Sequence, residues 1–354
     1  MSHFCRLANP AEYSVTDVDL LADAQARRYW VKLFEDHFAR ALDAARTAYG
    51  RTYARQIESA RKGFAKAMAP LAGDELAMDG PLGVVQLCRM REKVLRDNGL
   101  HDPFRHIKQR ENAAAAETYP QVIRKLTSLP PEERWAHLVR GVFAGNIFDL
   151  GSAATMGYAS DKVNFEAVIQ QIKPRPWLID DFDDLAEMLP VGGSEPAPWA
   201  KAVIFLDNAG ADFILGVMPL VRQLAGRGTQ IVLAANELPS LNDITADETV
   251  QIIKELAAMD PDLASYVKAG LFEVVSTGND IPLIDLSEVS QELNEAAQDA
   301  DLVVLEGMGR SVESNLDTEF DVDSIQLCLL KDPVIAARVN GEVFDCVCMY
   351  RPQE

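Results

Sequence analysis

Apolar and polar positions follow two different patterns along the chain. From about residue 15 to 170, apolar residues recur at three- and four-residue spacing with charged residues between them, which predicts amphipathic helices. The clearest segments are LLADAQARRYWVKLFEDHFARALDAARTAY (20–49), GPLGVVQLCRMREKVLRDNG (80–99), DPFRHIKQRENAAAAETYPQVIRKLTSL (102–129) and PPEERWAHLVRGVFAGNIFDLGSAAT (130–155). We therefore expect a helical N-terminal lobe over residues 1–175.

From residue 201 onward, short runs rich in β-branched residues alternate with amphipathic segments. The runs are KAVIFL (201–206), QIVLAA (230–235), LFEVVS (271–276), DLVVLE (301–306), QLCLL (326–330) and EVFDCVC (342–348). Continuous apolar strands that alternate with helices predict a mainly parallel sheet covered on both faces. The expected fold is therefore α/β, in which the helical lobe joins a Rossmann-like, three-layer α/β/α lobe over residues 176–354. The last strand is expected to be antiparallel, because it follows a short helix and a tight turn at Asn340-Gly341.

Carboxylates, amides, glycines and one lysine directly follow most of these predicted strands. In an open parallel sheet, ligands bind beyond the carboxyl ends of the strands, so residues at these positions should share one crevice. They are Asp207, Asn208, Asn236, Glu237, Thr277, Gly278, Glu306, Gly307, Met308, Gly309, Lys331 and Asp332.

The first two of these loops contain oxygen ligands suited to a hard cation. Asp207 and Asn208 follow the first strand of this lobe, and Asn242 and Asp243 lie after the second. Two carboxylates and an amide oxygen form the kind of site that Mg²⁺ or Mn²⁺ prefers, with water completing the shell. The alternative interpretation is helix capping, and Asp243 before TADETVQ fits it well.

Lys331 and the glycines of EGMGRS (306–311) suggest how a phosphoryl group would be held. An ammonium beside a divalent cation neutralises phosphoryl oxygens, and a glycine-rich turn after a strand can expose backbone N–H groups to an anion. The G-x-G of this turn is not a dinucleotide fingerprint, because no third glycine follows at the required spacing. The chain also has no P-loop, no H-E-x-x-H and no G-x-S-x-G.

Charge and composition restrict the partners of this site. The chain of 354 residues has 34 Lys and Arg against 54 Asp and Glu, a formal charge of −20, which repels nucleic acid phosphates and anionic membrane surfaces. No apolar run reaches the roughly 18 residues that a membrane span needs, and the start lacks the apolar core of a secretory signal. Five cysteines without zinc-ribbon spacing are typical of structural thiols, so we expect a cytoplasmic, reduced protein.

Several separate motifs together carry a family resemblance. FAGNIFDLG (143–151), residues 205–245 from FLDNAGAD to LNDIT, and LVVLEGMGRSVESN (302–315) resemble the damage-control phosphatases, a metal-dependent family. RDNGLHDPFRHIKQREN (96–112) and LKDPVIAARVNGEVFDCVCMY (330–350) fit the same pattern. The likeness runs from about residue 80 to 350 and is greatest to the second subfamily, which contains stand-alone plant proteins and the phosphatase domain of pantothenate-kinase-like fusions.

The resemblance implies a role for individual residues. It implies a divalent cation, Mg²⁺ or Mn²⁺ with Co²⁺ or Ni²⁺ as further candidates, held by Asp207, Asn208 and Asp243. It makes Asp212 an acid/base or water-positioning group and Lys331 a second cation in catalysis. The residues expected to contact the substrate are Asn146, Asp149, Asn242, Glu306, Gly307, Met308 and Gly309. One departure from the family, Glu237-Leu238 in place of a small pair, is expected to narrow or re-aim the phosphate pocket.

The function implied is hydrolysis of small phosphorylated metabolites, either 4′-phosphopantetheine and its damaged derivatives or sugar phosphates. A haloacid-dehalogenase-like phosphatase is a weaker alternative, because that family requires a D-x-D at the strand end and here the second acid lies five residues after Asp207. An S-adenosylmethionine-dependent methyltransferase would lack its glycine-rich loop, and it would leave the metal ligands unexplained. A non-catalytic, metal-containing sensor of phosphorylated metabolites stays open, as do the oligomeric state, a homo-oligomer included, and the choice between a phosphoenzyme and direct attack by water.

Overall fold

A seven-stranded sheet forms the centre of the molecule, with strand order β1-β7-β6-β5-β2-β3-β4. The computed structural model describes residues 1–73, 80–147, 165–190 and 196–353. The strands are β1 Ile179–Asp180, β2 Lys201–Phe205, β3 Gln230–Ala235, β4 Phe272–Ser276, β5 Leu302–Glu306, β6 Asp323–Leu329 and β7 Cys346–Arg351. Neighbouring strands are parallel except for β6 and β7, which are antiparallel. The predicted α/β class and the antiparallel last strand are both confirmed.

Helices precede the sheet and cover it. They are α1 Ala24–Tyr49, α2 Ala54–Met68, α3 Val84–Asp97, α4 Arg105–Ser128, α5 Pro131–Asn146, α6 Phe165–Gln171, α7 Phe182–Met188, α8 Met218–Ala225, α9 Ala246–Ala257, α10 Pro261–Lys268, α11 Gln291–Ala297 and α12 Pro333–Arg338. Two π-helical segments, Asp212–Val217 and Gly309–Glu313, follow β2 and β5. No helix in these described ranges is both long enough and apolar enough to span a membrane.

Capping residues determine where the first predicted helix begins and ends. The Asp23 carboxylate accepts hydrogen bonds from the N–H groups of Gln25 and Ala26, so α1 begins at Ala24 rather than at residue 20. It ends at Gly50, whose φ of +70° is readily adopted only by glycine. Three further helices lie within the predicted segments as α3, α4 and α5, with bounds shifted by a few residues.

The sheet differs from the prediction at its β1 edge. Strand β1 was not predicted, because a strand of two residues leaves no alternating pattern. It pairs in parallel with β7 through Ile179 and Val347. The last strand begins at Cys346, four residues later than predicted, since Phe344 has a φ of +71° and cannot continue a strand.

Apolar residues from both predicted lobes share the same cores. Trp30 and Phe34 of α1 belong to one buried cluster with Cys328 of β6 and Val347 of β7. A second cluster joins α4 and α5 to one face of the central strands. These cores contain residues from both sides of residue 175, and they place the N-terminal helices directly against the sheet. The domain boundary near residue 175 stays a prediction.

Candidate metal and phosphate site

The loops after β2 and β3 run side by side at the carboxyl edge of the sheet. The Ile244 N–H donates to the Asp207 carbonyl at 3.0 Å, and the Ala209 N–H donates to the Asn242 carbonyl at 2.9 Å. Asn208 and Asp243 therefore form an isolated antiparallel bridge. This pairing brings together side chains that lie more than thirty residues apart in the chain.

A cavity of about 460 Å³ opens over these loops. The residues of the carboxyl edge that line it include Asp207, Asn208, Asp243, Met308, Gly309, Lys331 and Asp332. Its opposite wall comes from the N-terminal helices and is mostly apolar, with Trp30, Leu33 and Phe34 from α1 and Val84 and Cys88 from α3. The same helices add the polar side chains of Tyr29, His37 and Arg91. The site thus has one charged end and one mostly apolar wall.

Beneath Asp207 lies a fully buried layer of polar groups centred on Asn146. The Asn146 Nδ2 lies 3.0 Å from Glu306 Oε1, 3.1 Å from Asp212 Oδ2 and 3.3 Å from Asp207 Oδ2. Asn208 Nδ2 donates at 2.8 Å to both Asp207 and Asp212, and Glu306 accepts the Asp207 N–H at 3.0 Å. These contacts fix the rotamers of the Asp207 and Asn208 side chains above.

This layer concentrates negative charge. Asp207, Asp212 and Glu306 each offer a carboxylate oxygen, and the three oxygens lie within 4.8 Å of one another. Burial, followed by repulsion from Asp207, raises the pKa of Asp212 to about 6. Burial and the same two aspartates raise the pKa of Glu306 well above its ordinary value. Such a cluster is stabilised by nearby positive charge.

Arg310 supplies part of that positive charge, a role that was not predicted from the sequence. Its guanidinium is fully buried, donates to Asp207 Oδ1 and Pro282 O, and reaches Asp243 Oδ2 at 2.8 Å and Asn236 Oδ1 at 3.1 Å. One cation therefore bridges two of the predicted metal ligands. The only sequence signal was its place in EGMGRS, directly after the glycines.

Lys331 lies on the other side of Asp207. Its buried Nζ is 3.8 Å from Asp207 Oδ2, and its backbone N–H donates to the sulfur of Met308 at 3.2 Å. Because β6 ends just before it, Lys331 enters the cavity from the strand next to β5. Two buried cations thus flank the same carboxylate.

Gly307 leaves room for the Asp207 carboxylate and does not present its N–H to a bound anion. Its φ is +90°, and a Cβ added there would lie 2.3 Å from Asp207 Oδ2, so only glycine fits. Its N–H donates to the Leu327 carbonyl at 3.0 Å. The expectation that this N–H faces a bound anion is therefore wrong for Gly307, because the sheet already uses it.

The predicted site residues divide between the cavity and the layer behind it. Those that line the cavity are Asp207, Asn208, Asp243, Met308, Gly309 and Lys331, and those that lie outside its lining are Asn146, Asp212, Asn242, Glu306 and Gly307. Glu306 was expected on the substrate side and instead lies behind Asp207, because its carboxylate accepts the Asp207 N–H. Asp149 lies outside the described residues.

Two further expectations are corrected. Thr245, not Asp243, caps α9: its hydroxyl accepts the Glu248 N–H, which leaves the Asp243 carboxylate to Arg310 and Asn236. Glu237 is exposed and lines a separate surface cavity with Arg96 and Asp280, so it does not narrow the site.

The residues at the cavity fit a divalent cation. Asn208 donates through Nδ2, and no described residue donates a hydrogen bond to its Oδ1, so this oxygen is available as a ligand. Asp207 and Asp243 line the same cavity, and both already accept from one cationic group. All three contribute oxygen, the donor that Mg²⁺ and Mn²⁺ prefer.

An open, mostly parallel sheet with carboxylates, an amide and a lysine beyond its strand ends defines a class, the α/β enzymes that bind phosphorylated ligands at this edge. Comparison with known proteins narrows the class. The model of the damage-control phosphatase ARMT1-like domain matches residues 31–347. The chain belongs to this family, and its activity is hydrolysis of phosphate esters.

Curated relatives agree with this assignment. A damage-control phosphatase of Arabidopsis thaliana is 44% identical over 286 residues, which cover 80% of this chain and 76% of the relative. A 4′-phosphopantetheine phosphatase of Mus musculus is 30% identical, and the match covers 97% of this chain and 48% of the relative. Pantothenate kinase 2 of Arabidopsis thaliana is 37% identical over 99% of this chain and 42% of its own length. The chain spans less than half of the last two relatives.

A solved structure shares the fold. The crystal structure of a DUF89 family protein from Pyrococcus horikoshii superposes with a TM-score of 0.62 at 20% sequence identity, covering 91% of this chain and 97% of the other. The predicted resemblance to damage-control phosphatases is confirmed by the family match and by these relatives together.

Proposed function

We propose that the protein is a divalent-cation-dependent phosphomonoesterase that acts on 4′-phosphopantetheine or a chemically related metabolite. The observation that carries the proposal is the meeting of Asp207, Asn208, Asp243 and Lys331 at one end of a single cavity. The mostly apolar wall opposite, which holds only the polar side chains of Tyr29, His37 and Arg91 among the lining residues of α1 and α3, favours a substrate with a long tail of low polarity over a sugar phosphate with many hydroxyls. A cytoplasmic location and a homo-oligomeric state remain predictions.

Asp207, Asn208 and Asp243 would hold the cation. When bound, a divalent cation polarises a phosphoryl oxygen and neutralises charge that develops during transfer. The four candidates from the family, Mg²⁺, Mn²⁺, Co²⁺ and Ni²⁺, all suit oxygen ligands to different degrees, and the experiment below ranks them.

The surrounding residues perform the remaining tasks. Lys331 presents its ammonium to the phosphoryl oxygens from the other side of Asp207. Arg310 keeps the Asp207 and Asp243 carboxylates in fixed positions. Asp212 is proposed to position a water molecule or exchange a proton through Oδ1, which makes no hydrogen bond with the described residues.

The proposal is tested by phosphate release from a panel of phosphomonoesters that includes 4′-phosphopantetheine and glucose 6-phosphate. The protein is first stripped with EDTA and then given Mg²⁺, Mn²⁺, Co²⁺ or Ni²⁺. We expect turnover only with a cation, and a loss of at least about a hundredfold in kcat for Asp207→Asn and Asp243→Asn. Asp317→Asn is the matched control, because it makes the same change at an exposed site.

Each competing interpretation gives a different result. Metal-independent turnover, or full activity of Asp207→Asn, would contradict the metal role. Tight cation binding without any phosphate release would favour a sensor of phosphorylated metabolites. Methyl transfer from S-adenosylmethionine in the absence of phosphate release would overturn the phosphatase assignment itself.

A further inference from the structure

Glu313 is an acidic residue in the cavity wall with no assigned task. It ends the π-helical segment that follows β5, and its side chain is 93% buried while lining the same cavity as Lys331. Among the described residues, the hydrogen bonds of Glu313 use its backbone N–H and carbonyl groups and not its carboxyl group. A ligand atom can satisfy a polar group in a cavity wall that has no hydrogen-bond partner in the protein.

The carboxylate of the neighbouring acid, Asp332, by contrast already has hydrogen-bond partners in the protein. It accepts from the Tyr29 hydroxyl and from the N–H groups of Val334 and Ile335, which makes it the N-cap of α12. Its position is therefore explained by local structure. The Glu313 side chain has no such structural explanation.

The charged groups that face Glu313 decide its protonation. Burial, followed by repulsion from Asp332 and Asp17, raises the pKa of Glu313 to about 8, and Arg338 and Lys331 oppose this only in part. The Arg338 guanidinium donates to the backbone carbonyls of Val312 and Glu313. Near neutral pH the carboxyl group is therefore mostly neutral and can donate a hydrogen bond.

The cavity around this carboxyl group is mostly apolar. Trp30, Phe34, Pro333 and Val343 line it, and the N-terminal helices add the polar side chains of Tyr29, His37 and Arg91. A phosphate ester anchored at Lys331 would place its tail along these apolar surfaces. A hydrogen-bond donor in mostly apolar surroundings discriminates between tails with and without an acceptor.

We propose that Glu313 is a specificity-determining residue whose carboxyl group donates a hydrogen bond to a carbonyl or hydroxyl oxygen in the uncharged tail of the phosphate ester. The proposal rests on the phosphatase function given above. It predicts that replacing Glu313 weakens the preference for amide-bearing esters over esters whose tails lack an acceptor.

The test compares two esters, 4′-phosphopantetheine, whose tail contains amides, and phenyl phosphate, whose tail contains no acceptor. For Glu313→Ala we expect the ratio of kcat/KM between the two esters to fall about five- to tenfold, through KM rather than kcat. Glu313→Gln keeps an N–H donor and should lose less than Glu313→Ala. Glu319→Gln makes the same change at an exposed position of the same loop region and should behave as the unaltered protein.

The pH dependence of KM provides a readout that a purely structural role would not move. Above about pH 8 the carboxyl group loses its proton, so KM for 4′-phosphopantetheine should rise in the unaltered protein and stay flat in Glu313→Gln. Equal ratios for all three proteins, with phosphate release intact, would overturn the role of Glu313 and leave the phosphatase function standing. Absence of phosphate release from either ester by the unaltered protein would remove both.

Discussion

At the scale of single residues, Asp207 is the point where every part of the site meets. It touches Asn208, Arg310 and Lys331 at the cavity, and its backbone N–H binds Glu306 in the layer behind. Gly307 makes room for it, because any side chain there would overlap the carboxylate. A residue with so many fixed partners is held in one rotamer, which is what a metal ligand requires.

Arg310 should be essential for both stability and activity. Arg310→Met keeps the length of the side chain but leaves the buried Asp207 and Asp243 carboxylates without their shared cation. We expect the free energy of unfolding, measured by urea denaturation, to fall by about 3–5 kcal/mol and phosphate release to drop at least tenfold.

The matched control is Arg89→Met. Arg89 pairs with Glu288 at the surface, where both side chains are about half exposed, so the same substitution should cost less than about 1 kcal/mol. If Arg310→Met unfolds at the same urea concentration as Arg89→Met, the ion pairs of Arg310 with Asp207 and Asp243 do not contribute to the stability of the fold.

Sequence reasoning identified the residues that directly follow strands, because strand ends meet at one edge whatever the details of packing. It identified Asp207, Asn208 and Lys331 in this way, and Asp243 from the loop that follows β3. It could not identify the role of Arg310, whose partners lie 103 and 67 residues away and depend on the path of a π-helical turn. Nor could it place Glu306 behind Asp207 rather than in the cavity.

At the scale of elements, the site depends on how closely α5 packs against the π-helical segment Asp212–Val217. A Cβ added at Gly145 would lie 2.9 Å from the Asp212 Cα and 3.2 Å from two backbone oxygens. The absence of a side chain there lets Asn146, the next residue, reach all three buried carboxylates. π-helical turns recur at functional sites, and here one begins with Asp212.

Gly145→Ala should therefore separate these two elements. The neighbours are backbone atoms that cannot move aside, so we expect a loss of about 1–3 kcal/mol in the free energy of unfolding. Because Asp212 shifts with its segment, kcat should fall as well. Urea denaturation and phosphate release on the same preparation measure both effects.

Gly141→Ala, one turn earlier on α5, is a stringent control. Its added Cβ would meet only the Leu215 carbonyl oxygen, at an ordinary contact distance of 3.9 Å. The helix propensity of alanine should then make this variant equal to or more stable than the unaltered protein, by up to about 1 kcal/mol. If Gly145→Ala and Gly141→Ala have the same free energy of unfolding and the same kcat, the close packing of α5 at Gly145 is not required for stability or activity.

The elements themselves were predictable where the pattern is long. The 26 residues of α1 and the buried strands β2, β3 and β5 carry clear periodicities, and all were predicted. The two π-helical segments were not, because an insertion of one residue into a helical turn is decided by tertiary contacts such as those of α5 rather than by local propensity.

At the scale of the whole molecule, the excess of acidic residues extends into the interior. The formal charge is −20, and several carboxyl groups are buried around the cavity, among them Asp207, Asp212, Glu306 and Glu313. Buried acids with raised pKa values make folding increasingly unfavourable as pH rises, because the unfolded chain releases protons that the folded chain retains. The site is therefore held together against electrostatic repulsion.

Glu313 offers a direct measurement of this cost. Its pKa rises from the ordinary 4.5 to about 8 in the folded protein, so its contribution to stability is complete below about pH 4.5 and is lost as pH rises to about 8. Glu313→Gln carries no titrating group at this position. The variant should therefore gain stability relative to the unaltered protein by a few kcal/mol between pH 5 and pH 8.5, at about 1.36 kcal/mol per unit of pKa shift.

Urea denaturation in EDTA at several pH values gives the difference directly, and Glu319→Gln should follow the unaltered protein at every pH, because that side chain is exposed. A constant difference between Glu313→Gln and the unaltered protein would mean that Glu313 is already ionised at pH 5. A difference that grows with pH would show that the neutral carboxyl group of Glu313 lowers the stability of the fold as pH rises. The same neutral carboxyl group is the proposed hydrogen-bond donor to the substrate.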